Sequence, residues 1–421
     1  MEVKPGYKQT EVGVIPEDWD VKTLGSLTSL LTNGFVGTAT SAYVDNDDGV
    51  LYIHGYNIQE NGFNFHGIKR VSKLFHAQNQ KSCLQPGDLL TIQTGDIGVT
   101  AVVPPELAGS NCHALVISRL DKRISEPSFY CQYFNSELGR VAFKEIETGS
   151  TMKHLNVGDM KRLFLPSPPV EEQLAIAGAL SDVDALIGAV DQLIAKKRAL
   201  KQAAKQQLLT GQKRLPGFHG EWEVKRLGQL GVTYGGLIGK TKADFGQGTA
   251  KYITFLNVMN NVVIDTSQFE LVQVQPTESQ NVVLNGDLFF NGSSETPEEV
   301  GMCAVLFEEV SCVYLNSFCF GFRLHDDVLA NGLYLAYFFR SGEGRKLLYS
   351  LAQGATRHNL SKTALMVIEF LLPSLPEQTA IAGVLSDMDA ELAALEQRRD
   401  KTRILKQGMM QELLTGRTRL V

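Results

Sequence analysis

Three strings in this sequence imitate catalytic sites. Gly235-Gly236-Leu237-Ile238-Gly239-Lys240-Thr241 approaches a phosphate loop, but the pattern G-x-x-x-x-G-K-[ST] needs its first glycine where Tyr234 stands. Ser167-Pro168-Pro169-Val170 resembles the D/N/S-P-P-aromatic motif that stacks on a flipped base, yet Val170 cannot stack. Asp20-Val21-Lys22 and Glu223-Val224-Lys225 could end a metal-nuclease site, but no partner acid stands at a suitable spacing. The eight histidines show no H-E-x-x-H or comparable ligand spacing. Cys303, Cys312 and Cys319 alternate with apolar residues and read as core thiols. None of these chemistries is complete, so the sequence points away from an enzyme and towards a structural or binding role.

Composition narrows the class. The chain has 421 residues, 43% hydrophobic and 20% charged, enough apolar material for several cores. Six cysteines without a C-x-x-C pair read as reduced thiols of a cytoplasmic protein. No run of about 18 apolar residues is apparent, which predicts no membrane span, and the opening MEVKPGYKQTEVGVIPEDW lacks the layout of a secretory signal. With a net charge of −6, any nucleic-acid surface must be a local patch.

The strongest signal is an internal repeat. Setting Glu172 against Glu377, an offset of 205, gives 25 identities in 44 positions without a gap. Trp19 and Trp222, the two tryptophans, stand at an offset of 203. Leu84-Gln85-Pro86-Gly87-Asp88-Leu89 recurs as Val283-Leu284-Asn285-Gly286-Asp287-Leu288. Gly149-Ser150-Thr151 matches Gly354-Ala355-Thr356, and Leu165-Pro166-Ser167 matches Leu372-Pro373-Ser374. The protein is two copies of one unit, each with a divergent first part and a nearly constant second part.

The constant part must be a long helix. Ile176, Leu180, Val183, Ile187, Val190 and Ile194 are spaced 4-3-4-3-4, and Ile381, Leu385, Met388, Leu392 and Leu395 follow the same pattern until Arg399 replaces the sixth apolar residue. Pro169 and Pro376 mark the starts, and Gly211 and Gly416 the stops. About 40 residues make a rod of roughly 60 Å. Two such stripes in one chain predict an antiparallel intramolecular coiled coil; the alternative is that each helix packs on its own domain. The divergent parts carry short β-branched and aromatic runs bounded by Gly, Asn and Asp, followed by helical stretches. The fold class is therefore α+β, with a pseudo-two-fold repeat. The segments are a first globular domain at 1–165, a spacer helix at 166–213, a second domain at 214–372 and a second spacer helix at 373–421.

EEQLAIAGALSDVDALI and EQTAIAGVLSDMDAEL, each after Leu-Pro-Ser, resemble the conserved regions of the specificity (S) subunit of type I restriction–modification systems. GYKQTEVGVIPEDWDVKTLGSL and GSTMKHLN are similar to other parts of that family, so the resemblance covers essentially the whole chain. It implies two target-recognition domains, each reading one half of a split DNA site, and two helices that act as spacer and docking platform. It also implies a non-catalytic chain without its own cofactor. S-adenosylmethionine, ATP and Mg are then expected in partner subunits. The partners implied are double-stranded DNA, two methyltransferase (M) subunits and restriction (R) subunits, with no membrane. A stand-alone DNA-modifying or cleaving enzyme with a degenerate site, and a coiled-coil protein-binding adaptor, are the rival readings.

Direct readout needs polar side chains on loops that reach the major groove. In the first domain the candidates are Thr32, Asn33, Thr38, Thr40, His54, Asn57, Gln59, Gln93, Thr94, Lys153 and His154. In the second they are Lys240, Lys242, Lys251, Asn257, Asn260, Asn291, Ser293, Ser294, Arg357 and His358. No residue is expected to be catalytic or to bind metal.

Overall fold

Pro168 and Pro169 have no main-chain N–H to donate, and a helix starts directly after them. This helix, α1, runs Val170–Leu209, with Glu171 and Glu172 in its first turn, where the helix dipole favours negative charge. It stops ahead of Gly211, whose φ of +70° suits glycine. The second long helix, α2, runs Leu375–Leu413, and Gly416 at φ +68° repeats the stop. Pro376, expected before the start, sits instead in the first turn of α2. A proline is tolerated there because first-turn N–H groups have no intrahelical acceptor.

The computed structural model describes residues 4–45, 47–149, 153–354 and 357–420. Ser150, Thr151, Ala355 and Thr356, part of one repeated motif, and Met152 lie outside the described residues. The chain divides into two units, Met1–Asp191 with Gln397–Val421, and Gln192–Glu396. Each takes in one divergent segment together with part of α1 and part of α2.

In unit 1, four strands form a sheet in the order Thr100–Val102, Leu89–Ile92, Leu115–Leu120, Thr28–Asn33, antiparallel throughout. Alternate residues of a strand face opposite sides. Leu89 and Val116 join a core with Trp19, Phe129 and Phe134, whereas Leu90 and Ile117 join another with Ile53 and Cys112. The second core lies towards a three-stranded sheet of Asn111–Cys112, Val50–Ile53 and Lys69–Val71. Helices Pro127–Asn135 and Glu137–Ile146 supply the first. Unit 2 repeats the plan. Its four-stranded sheet runs Cys303–Val305, Leu288–Asn291, Cys319–Leu324, Gly231–Gly235, and its smaller sheet Glu270–Val272, Phe245–Ile253, Val313–Leu315. Helices Gly332–Phe339 and Gly342–Tyr349 match the first pair.

The long helices contribute to both cores. Ile176 and Leu180 are buried in unit 1 with Met410 and Leu413 of α2 and with Leu414 just after it. Ile381 and Leu385 are buried in unit 2 with Leu208 and Leu209 of α1. Val190 and Ile194 are buried too, while Val183, Ile187, Met388, Leu392 and Leu395 are half-buried. Ion pairs set the helix direction within each unit. In unit 1 Asp184 meets Lys406 at 2.6 Å and Asp191 meets Arg403 at 3.0 Å. In unit 2 Glu391 meets Lys197 at 2.6 Å, and Asp389 meets Lys201. Numbers rise on one helix as they fall on the other, so the pairing is antiparallel in each unit.

Two expectations need correction. Cys303 and Cys319 are buried as expected, but Cys312 is exposed, at a φ of +54° in the turn before Val313–Leu315. And α1 does contain an 18-residue window of mean hydropathy 1.4, long and apolar enough to cross a membrane by length and composition. Asp182 and Asp184 interrupt the window, so it does not stand out as a continuous apolar run. Asp184 is paired with Lys406 and accepts a 2.7 Å hydrogen bond from Gln132, contacts that suit a helix packed on protein.

Candidate nucleic-acid interface

Each divergent segment is fixed to its helix by a matched set of buried polar groups. Glu172, wholly buried at the start of α1, accepts a 2.8 Å hydrogen bond from Trp19 Nε1 and another from Arg419 Nη2. Glu377 does the same on α2, accepting from Trp222 Nε1 at 3.3 Å and from Arg214 Nη2. The next residue completes the anchor. Gln173 donates to the carbonyls of Ile124 and Pro168 and accepts from the Glu126 N–H; Gln378 donates to those of Leu329 and Pro373 and accepts from the Asn331 N–H. Buried amides with both ends satisfied fix orientation strongly. The Glu-Gln pair at the start of each long helix is thus the joint between helix and divergent segment.

A second matched pair secures the sheet. Asp88 is buried, accepts from the Gln85 N–H at 2.8 Å and receives two 2.8 Å bonds from Arg119. Asp287 accepts from the Leu284 N–H at 2.8 Å and is held by Arg323 at 2.8 and 2.6 Å. The weak repeat around these aspartates was the visible signal, although it gave no hint of the arginine partners.

The candidate readers divide by what their polar atoms already touch. Asn57 accepts from the His54 N–H and donates to the Asn64 and His66 carbonyls. Asn257 likewise accepts from the Asp265 N–H and donates to the Asp265 carbonyl. Asn291 accepts from the Met302 N–H and donates to the Glu299 and Ser293 carbonyls. All three amides are buried in the loops they hold. Lys240, its side chain 5% exposed, pairs with Glu278 at 2.6 Å and holds that carboxyl down at about 2. Thr32 is buried on a strand opposite Ile117, and Ser294 is buried with its hydroxyl on Glu299. These residues spend their hydrogen bonds inside the fold. Thr38, Thr40, Gln59, Thr94, Lys153, Lys242, Lys251, Asn260 and Arg357 are exposed, and Asn33, His54, Gln93, His154, Ser293 and His358 are half-buried.

Some of the latter are brought together, in the same place in each unit. In unit 1 the Leu155 N–H donates to the Gln93 carbonyl at 3.0 Å, and Thr148 and His154 form a β-bridge. Gln93 and Thr94 thereby lie beside Lys153 and His154. In unit 2 the Leu360 N–H donates to the Gly292 carbonyl at 2.9 Å, and Gln353 and Asn359 form the bridge. Ser293 and Ser294 pair there with Asn359 and His358. The backbone connection is repeated; the side chains it presents are Gln, Thr, Lys and His in one unit and Ser, Arg and His in the other, Ser294 being turned inward.

Unit 1 has a further polar-aromatic cluster. His54 stacks on Tyr56 with ring centroids 5.2 Å apart, and lies 5.0 Å from the His113 ring. Tyr52 OH is hydrogen-bonded to His113 Nδ1 at 2.9 Å. Burial, with His113 and Lys69 nearby, lowers the His54 pKa to about 4, so the imidazole is neutral at pH 7. Among the described residues no group of three or more His, Cys, Asp or Glu is arranged to hold a metal ion.

Two α+β domains with one repeated frame and unlike loop side chains, each joined to a long helix, define a class of paired recognition modules. A family model for the type I restriction modification DNA specificity domain matches twice, over residues 16–196 and 219–405, and the chain belongs to this family as a specificity subunit. It is 25% identical to the MjaX specificity subunit of Methanocaldococcus jannaschii over 98% of this chain and 97% of that one. It is 23% identical to the type I restriction enzyme StySPI specificity subunit of Salmonella potsdam, covering 92% and 85%. The fold matches the type I restriction–modification S subunit from M. genitalium with a TM-score of 0.58 at 14% identity, covering 98% of both chains.

Proposed function

We propose that the chain reads an asymmetric, bipartite DNA site, one half through each divergent domain, and that methyltransferase subunits dock on its long helices. The observation that carries this reading is the repeated loop pair of the two units. The same main-chain connection presents Gln93, Thr94, Lys153 and His154 in one unit and Ser293, Arg357 and His358 in the other. A constant frame with unlike hydrogen-bonding side chains suits two unlike half-sites. The segments 1–165 and 214–372 are the recognition domains in this reading, and 166–213 and 373–421 form an antiparallel coiled coil that spaces them.

Unit 1 exposes Leu174, Leu186, Ile404 and Leu405 on the long helices, and unit 2 exposes Leu193 and Leu200. Apolar side chains left uncovered on a helix are suited to partner subunits. S-adenosylmethionine, ATP and Mg belong to those partners, and restriction subunits complete a cytoplasmic complex. Partner subunits that clamp the duplex supply phosphate contacts, which makes a net charge of −6 tolerable.

Replacing residues 14–165 by the equivalent segment of another family member tests the reading. Methylome mapping of cells carrying the exchanged chain with methyltransferase subunits should show one half of the target changed and the other intact. A change in both halves overturns it. Robust methylation by the purified chain alone would favour the stand-alone enzyme instead.

A further inference from the structure

Phe318, beside the paired loops of unit 2, is 56% exposed. It sits in the turn between strands Val313–Leu315 and Cys319–Leu324. The turn is tied down. Asn316 Oδ1 accepts from the Phe318 N–H at 2.8 Å, and the Phe318 carbonyl accepts from the Gly292 N–H at 2.8 Å. Gly292 is in turn bonded to Leu360, next to the pairing of Ser294 with His358. Over the ring lies the Arg357 guanidinium, 5.9 Å from the centroid. An exposed arginine on a loop is normally mobile, and the ring face restrains its guanidinium. At the matching turn, unit 1 has Ala114 ahead of strand Leu115–Leu120.

We propose that Phe318 and Arg357 act as a single reading element for a pyrimidine–guanine step in the half-site of unit 2. This rests on the reading of the chain as a two-domain DNA specificity subunit. Arg357 contributes bidentate donors for guanine O6 and N7, the geometry a guanidinium fits best in the major groove. Phe318 packs on the C5 edge of the neighbouring pyrimidine, where an apolar ring favours the thymine methyl. Successive bases on one strand are about 3.4 Å apart, so a ring and a guanidinium at contact distance can address adjacent positions. Phe318 is therefore a specificity-determining residue that also positions Arg357.

The test uses the full chain co-expressed with methyltransferase subunits, with Phe318→Ala, Phe318→Leu and Arg357→Lys variants. The target is first mapped by methylome sequencing, and binding of the assembled complex is then measured on duplexes altered in the unit 2 half-site. Arg357→Lys should lose about tenfold or more of the guanine preference at one position. In the parent complex, removing the methyl of an adjacent thymine (uracil in its place) should weaken binding, and adding one to an adjacent cytosine (5-methylcytosine) should strengthen it, about threefold to tenfold. Phe318→Ala should be indifferent to either change, and Phe318→Leu should keep part of the response. Phe318 is outside the core, so circular dichroism of the variants should match the parent.

If all three variants methylate the parental sequence with unchanged base preferences, the element is not a reader, while the specificity reading stands. A half-site without a pyrimidine–guanine step also overturns the proposal alone. If exchanging residues 214–372 leaves the whole target unchanged, the underlying specificity reading fails instead.

Discussion

Unit 1 surrounds its buried Glu172 with Trp19 and an Arg419 that it shares with Asp18. Unit 2 gives Glu377 the Trp222 indole and Arg214, whose remaining bond goes to the Gly220 carbonyl. The two units also differ beneath the helix pair. In unit 1 the Asn135 amide donates to the Thr100 carbonyl and Asn61 and accepts from the Thr100 N–H, and a cavity of about 620 Å³ opens beside it and Met410. In unit 2 the equivalent residue, Arg340, is inserted among the carbonyls of Val258, Met259, Asn261 and Cys303, and Lys205 stands where unit 1 has Met410. The frame is thus fixed by a few groups that satisfy main chain at the joints. Elsewhere the units solve the same burial problem with neutral groups in one case and cations in the other.

The largest difference between the units should appear when the joint carboxylate is removed. Glu377→Ala leaves Arg214 without a carboxylate and the Trp222 indole without its acceptor, and should destabilise unit 2 by about 3 kcal/mol. Glu172→Ala should cost less, because Arg419 keeps Asp18 at 2.7 Å. Urea unfolding followed by hydrogen exchange in each unit separates the two. Equal losses would mean that Asp18 does not compensate.

Arg340→Met should be next in size. It strips a buried donor from several carbonyls at the end of helix Phe255–Asn260, at a cost of about 2 kcal/mol. Hydrogen exchange should accelerate around 255–261 before the rest of unit 2. If protection there is unchanged, water replaces the guanidinium and the difference from Asn135 is inconsequential.

Lys205→Met copies the unit 1 solution and should stabilise. Burial, assisted by Lys201, Arg340 and Arg345 and opposed by Asp389, lowers the lysine pKa to about 8. Between pH 8 and the ordinary lysine range the unfolded chain binds more protons, so the stability of unit 2 rises with pH there. The penalty is present in full below about pH 8. The variant should therefore gain on the order of 1 kcal/mol at pH 7 and lose that advantage above about pH 10.5. Thermal melts at the two pH values check it; a gain independent of pH would be packing alone.

The smallest effect should be acid sensitivity confined to unit 1. His54 has a folded pKa of about 4, below its unfolded value, so the folded unit resists protonation. Its contribution is intact above about pH 6.5 and is lost as pH falls towards 4. Since His54 is only half-buried, solvent screening limits this to on the order of 1 kcal/mol. His54→Phe should flatten the acid limb of a unit 1 exchange profile and leave unit 2 untouched, because Thr254 occupies the corresponding place there.

The repeat, the two long helices and the paired α+β domains were legible in the sequence because they are written in local terms. A 4-3 apolar spacing, prolines and glycines at the ends, and short β-branched runs each constrain backbone without reference to distant residues. The tryptophans and the Glu-Gln pairs were visible as repeats, but their joining was not. Trp19 meets Glu172, and Glu172 meets Arg419, across separations that no spacing rule reaches. The candidate readers show the same limit. Asn57, Asn257 and Asn291 have the right chemistry for a base edge, but tertiary contacts decide which amides are engaged by main chain and which side chains stay free. Phe318 has the reverse history: its type suggests core, and only the turn that holds it beneath Arg357 leaves it outside. By itself the sequence determined the elements, their duplication and the family, since each depends on residue type and local spacing. The tertiary structure alone decided which polar atoms are spent inside the fold, because that depends on what lies opposite each side chain after the chain has closed.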